Sequence, residues 1–118
     1  MRDSVVLQSF DHVALRALHA LDPAVALCGL YPRHIPGRLL RASLSRAAEW
    51  LTAIAPGAAS VDASLLSRAH ALGLRVHPYT VNELPELERL AALGADGLIT
   101  DVPDRARAAL AGAARLAA

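Results

Sequence analysis

Ala24-Val25-Ala26-Leu27-Cys28-Gly29-Leu30-Tyr31 holds no charge and no proline. A run apolar at every position has no face to give to water, so it reads as a strand covered on both sides, the pattern of a parallel sheet. Upstream, residues 4–10 (SVVLQSF) form a short β-branched run that also reads as a strand. Asp11 then stands as a helix N-cap ahead of Val13, Leu15, Leu18 and Leu21, and Asp22-Pro23 ends that helix. Downstream, residues 32–37 form a loop with two prolines and a glycine. Residues 39–55 read as an amphipathic helix with Leu40, Leu44, Ala47, Leu51 and Ile54 on its apolar face, stopped by Pro56-Gly57.

The same rhythm continues to the end. Residues 58–62 (AASVD) are a short strand candidate, and a helix runs from Ser64 to Gly73, a residue suited to the left-handed position after a helix. Residues 74–81 (LRVHPYTV) form a strand, residues 83–93 a helix closed by Gly94, and residues 95–100 (ADGLIT) the last strand. A final helix is expected from Asp104 to about Leu116, with Asp101 capping at the turn before it. Five strands alternating with helices imply one α/β domain over residues 1–118, with a parallel sheet, right-handed crossovers and Cys28 buried in the second strand.

Composition excludes several classes. Hydrophobic residues make up 54% and charged residues 19%, which rules out a disordered chain. Twelve basic residues against eleven acidic ones leave a net charge of +1, with no sequence-wide attraction to nucleic acid or anionic lipid. All twelve basic residues are arginines, and they read as a solvated face. No stretch is long and charge-free enough to span a bilayer. Met1-Arg2-Asp3-Ser4 is not followed by the apolar run of a signal peptide, and the one cysteine cannot form an internal disulfide. A cytoplasmic setting is the expectation.

Three segments carry a family resemblance. Val5-Val6-Leu7-Gln8-Ser9-Phe10-Asp11, Gly73-Leu74-Arg75-Val76-His77-Pro78-Tyr79-Thr80-Val81-Asn82, and Leu93-Gly94-Ala95-Asp96-Gly97-Leu98-Ile99-Thr100-Asp101-Val102-Pro103 resemble, in order and spacing, three strand segments of the glycerophosphodiester phosphodiesterases. That family adopts a (β/α)₈ TIM barrel, which needs ~250 residues. The resemblance implies a partial barrel, its about five parallel βα units like the fourth to eighth strands, and hence a C-terminal half.

It also implies a chemistry: metal-dependent hydrolysis of glycerophosphodiesters to an alcohol and glycerol 3-phosphate, by two histidines and a Mg or Ca cation held by carboxylates. The family's HRG, ExD and EiK motifs, which carry those groups, do not occur here. No catalytic residue and no metal ligand is therefore assigned, no cofactor is expected in this chain, and the chain alone is expected to be inactive. Substrate-binding residues remain. Phe10 ends the first strand where the family lines its pocket with an aromatic, and Tyr79 takes the place of a family tryptophan that packs on glycerol. Thr80 and Asn82 follow at the pocket edge.

Other titratable groups read as structural. Asp11, Asp62 and Asp101 fall at strand ends without converging carboxylates, His12 falls in a first helical turn, His19 and His70 in helices, and His34 in a loop. Strand alternation leaves His77 on either face. Partners follow from the missing strands: a homo-oligomer, or the absent N-terminal half. A non-catalytic, self-associating half-barrel module is the alternative function.

Overall fold

Four parallel strands lie side by side in chain order: β1 (Val6–Ser9), β2 (Ala26–Leu30), β3 (Ala53–Ala55) and β4 (Arg75–Val76). The computed structural model describes residues 6–108 and 111. Between the strands run α1 (His12–Leu21), α2 (Gly37–Ala47) and α3 (Ala63–Ala71); α4 (Leu84–Leu93) follows β4. Residues 103–108 are helical, and most of the expected final helix lies outside the described residues.

The helix boundaries follow local chemistry. Asp11 caps α1 by accepting from the Ala14 backbone N–H at 3.0 Å, and Asp62 caps α3 by accepting from Leu65 at 2.8 Å. Gly94 ends α4 in the left-handed conformation, φ 96°. One continuous core binds the helices to one face of the sheet, joining Leu15, Leu40, Leu44, Leu65 and Leu87 to the strand residues Leu27, Ile54 and Val76. Strand residues of the other parity form the inner face. There Cys28, Ala53 and Ala55 are buried under Leu30, Tyr79 and Ile99. Burial pushes the Cys28 thiol up to about 11, as a small residue packed among hydrocarbon should behave.

Four expectations need correction. The helix expected over residues 39–55 ends at Ala47, and Ala53–Ala55 is a fully buried central strand. Leu51 and Ile54 happen to continue the helical spacing, but the chain turns at residues 48–52, and a three-residue strand buried on both faces carries no alternation to betray it. The strand expected over residues 58–62 is instead a single 3₁₀ turn, Ala58–Ser60, leading to the Asp62 cap.

The strand expected over residues 74–81 is regular only at Arg75–Val76, with a further parallel bridge from Gly57 to Tyr79. Residues 95–100 run beside it but form no regular strand. Their backbone bonds are Asp96 N–H to Val76 O, Ile99 N–H to Pro78 O and Val81 N–H to Ile99 O. In a regular parallel ladder Ile99 would bridge two residues separated by one; here it bridges Pro78 and Val81, separated by two. The extra residue breaks the ladder as a bulge does. The segment still alternates faces, Leu98 packing into the helix-side core and Ile99 onto the inner face. The architecture is thus a partial barrel of parallel βα units, with β1 as an open edge.

Candidate functional site

Parallel strands present their C-terminal ends on one side, and the loops that follow β1, β2 and β4 meet there. Phe10, directly after β1, lies 58% exposed, and its ring meets the half-buried Tyr79 ring edge-on at 6.0 Å. Such a T-shaped pair adds attraction beyond its buried area. The Tyr79 hydroxyl donates to the backbone carbonyl of Tyr31, at the end of β2. Two of the expected residues are therefore brought together as one aromatic wall, held by backbone from a third strand.

Thr80 and Asn82 come next. Thr80 is exposed beside Tyr79. Asn82 is spent on the fold: its amide N–H₂ donates to Asp101 at 3.1 Å, and its side-chain oxygen accepts from the Thr100 hydroxyl and the Asp101 N–H at 3.2 and 2.9 Å. It thereby clips the loop after β4 to the turn at residues 100–101. Asp101, expected as a helix cap, is instead Asn82's partner.

The histidines sort by position. His12 Nε2 lies 2.9 Å from the Leu30 carbonyl, and its ring sits edge-on against Tyr31 and Trp50. Its neighbourhood is packed: a Cβ on Gly29 would lie 3.0 Å from that nitrogen and 2.8 Å from Leu51 Cδ1. His70 Nε2 lies 2.7 Å from Asp96, whose same oxygen accepts from the Val76 backbone N–H at 2.8 Å. Burial raises the Asp96 carboxyl, but these two bonds outweigh it and leave it below its ordinary value. His77 faces the inner side, where burial pulls it below the usual histidine value against the pull of Asp96.

Sequence reasoning overlooked Tyr31 and Arg75. Tyr31 contributes only a carbonyl, which no motif marks. Arg75 was legible, since it sits two residues before His77 on a strand and so shares its face.

Residues 1–105 match the glycerophosphoryl diester phosphodiesterase family. The chain belongs to that family. It is 28% identical over 116 residues to a glycerophosphodiester phosphodiesterase of Bacillus altitudinis, covering 90% of this chain and 42% of that one. Among solved structures, a glycerophosphoryl diester phosphodiesterase from Silicibacter pomeroyi superposes with a TM-score of 0.80 at 29% identity, over 95% of this chain and 39% of the other. A phosphodiesterase from Oleispira antarctica, solved with its product sn-glycerol-3-phosphate, has the same fold, with a TM-score of 0.75 at 22% identity over 90% and 41%. The chain spans about two-fifths of the length of these relatives.

A phosphodiesterase of this kind implies a divalent cation, and the residues present do not fit one. Among the described residues no three His, Cys, Asp or Glu side chains converge. The three loop aspartates are engaged separately, Asp11 and Asp62 as caps and Asp101 by Asn82. Hard cations require several converging oxygens. No step through a cation is assigned to this chain's residues. No helix among the described residues is long and apolar enough to cross a membrane.

Proposed function

We propose that this chain is the C-terminal part of a glycerophosphodiester phosphodiesterase and forms the substrate-binding wall of its barrel. The assembled protein hydrolyses a glycerophosphodiester to an alcohol and glycerol 3-phosphate, and the acid–base histidines and the Mg or Ca ligands come from polypeptide outside this chain. The observation that carries the reading is the pairing of the exposed Phe10 ring with the half-buried Tyr79 ring at the C-terminal end of the sheet, where barrels of this type keep their sites. The two rings offer an apolar face for glycerol, and Thr80 borders them. Asn82 acts by fixing the loop that presents Tyr79. A cytoplasmic setting accompanies the reading, as the default for a chain whose sole cysteine is a buried thiol.

A second reading, a self-associating module without catalysis, draws on the exposed apolar edge at Val6 and Leu7. Arg75, level with the inner-face residue Ala53, would bring like charge together if two copies met face to face, which tells against it.

The test joins this chain to the portion of the Bacillus altitudinis relative that it does not match, and measures glycerol 3-phosphate release with Mg²⁺ or Ca²⁺. Phe10→Ala and Tyr79→Ala are expected to raise KM by about 3- to 10-fold each. Turnover indifferent to both substitutions would refute the binding wall.

A further inference from the structure

Both backbone polar groups of Tyr79 are bonded to the turn that follows β3. The Tyr79 N–H donates to the Pro56 carbonyl at 3.0 Å, and the Tyr79 carbonyl accepts from the Ala58 N–H at 2.7 Å. The ring that meets Phe10 is therefore placed by residues 56–58 as well as by its own hydroxyl. That turn has a tie of its own. Arg89, on α4, reaches it with two nitrogens: Nη1 donates to the Val61 carbonyl at 2.9 Å and Nη2 to the Ala58 carbonyl at 3.2 Å. Among the described residues Arg89 is the one side chain hydrogen-bonded to residues 56–61. Glu86, one turn earlier on the same helix, holds the rest of the guanidinium, accepting from Nε at 3.1 Å with one oxygen and from Nη2 with the other. The turn is also packed against the loop after β2, since a Cβ on Gly57 would lie 3.2 Å from Arg33 Cα.

We infer that Arg89 is a positioning residue for substrate binding: aligned by Glu86, it fixes the turn after β3 and, through Ala58, holds Tyr79 at the site. The inference rests on the binding-wall reading above. The path from Arg89 to Tyr79 is two hydrogen bonds long and passes through one residue. Guanidinium chemistry suits the task. Its planar fork offers donors in fixed directions, so two carbonyls of one tight turn and a carboxylate are met at once, whereas an ammonium is a point charge on a flexible stem. An exposed Arg–Glu pair adds little stability by itself, and both side chains here are more than a third exposed. What the arrangement supplies is geometry. Asn82 fixes the same loop to its other neighbour, the turn at residues 100–101, so the loop that presents Tyr79 is held from both sides.

The experiment reads amide hydrogen exchange by NMR in the whole chain, and KM and kcat in the same chain joined to the unmatched portion of the Bacillus altitudinis relative. Arg89→Ala is expected to speed exchange of the Ala58 and Tyr79 amides about tenfold. The Tyr31 and His77 amides, bonded to Ala55 and Ile54 of β3 rather than to the turn, should be unchanged. Arg89→Lys keeps the charge but not the fork, and is expected to exchange as Arg89→Ala does. Equal acceleration at all four amides, no acceleration, or full protection in Arg89→Lys overturns the inference. In the joined protein Arg89→Ala is expected to raise KM about 3- to 10-fold with kcat unchanged, and to raise it no further once Tyr79 is alanine. An added KM rise in that double variant would show that Arg89 does not act through Tyr79. The expected exchange pattern without glycerol 3-phosphate release supports this inference while refuting the proposed activity. Release with a KM indifferent to Arg89→Ala does the reverse.

Discussion

The hydroxyl of Tyr79 donates a hydrogen bond to the backbone carbonyl of Tyr31, so the loop after β4 is tied to the end of β2 across the intervening strand. The bond holds the Tyr79 ring where it meets Phe10. Tyr79→Phe keeps the ring and removes the donor. It is expected to cost about 0.5–1.5 kcal/mol in urea unfolding, the usual net worth of one hydrogen bond. An unchanged midpoint would show that the tie does not hold the loop.

Asp96 joins α3 to β4, because one of its oxygens accepts from both His70 and the Val76 N–H. The two partners are not equal. His70 lies on the surface, and exposed ion pairs are worth only about 0.2–1 kcal/mol, so His70→Ala should be mild. Asp96→Ala also strands a part-buried backbone N–H and should cost about 1–3 kcal/mol. Equal losses for the two substitutions would contradict this division.

His77 gives the fold a pH dependence of predictable sign. Burial lowers its value in the folded chain below the ordinary 6.5, and the positive charge of Arg75 acts in the same direction. Folding therefore favours neutral His77. That contribution is complete above the unfolded value and is lost as pH falls from there toward the folded value. Thermal midpoints should drop as pH falls below the ordinary histidine value of 6.5, and His77→Gln should flatten the drop. The depressed Asp96 acts in a lower window, below the ordinary carboxylate range. A slope unchanged by His77→Gln would remove His77 as its source.

Gly29 supplies room that a methyl group would fill. A Cβ there would lie 2.8 Å from Leu51 Cδ1 and 3.0 Å from His12 Nε2, both on the helix side of β2. Leu51 is itself buried, so it has little space to retreat. Gly29→Ala is expected to destabilise by about 1–3 kcal/mol through overpacking. A neutral substitution would mean that the α1–β2 contact is looser than the geometry shows.

What the sequence revealed and concealed follows one physical division. Helix caps and glycine stops are local chemistry, so Asp11 and Gly94 could be placed from residue type and neighbours alone. Ala53–Ala55 could not, because a short strand in the middle of a parallel sheet is set by its neighbours and borrows its hydrogen bonds from them. Residues 95–100 were recognisable as extended, but the extra residue between Pro78 and Val81 that breaks their ladder exists only in three dimensions. The site divides the same way. Phe10 and Tyr79 were legible as aromatics at strand ends, whereas Asn82's engagement with Asp101 and the placing of Arg75 level with Ala53 depend on which elements the fold brings together.

The central claim is that this chain supplies part of a phosphodiesterase barrel but not its reacting groups. The direct measurement is glycerol 3-phosphate release from a glycerophosphodiester by the purified chain alone, with Mg²⁺ or Ca²⁺, and with EDTA as control. The account predicts no release above the uncatalysed background under any of these conditions. Turnover by the chain alone that EDTA abolishes would contradict it.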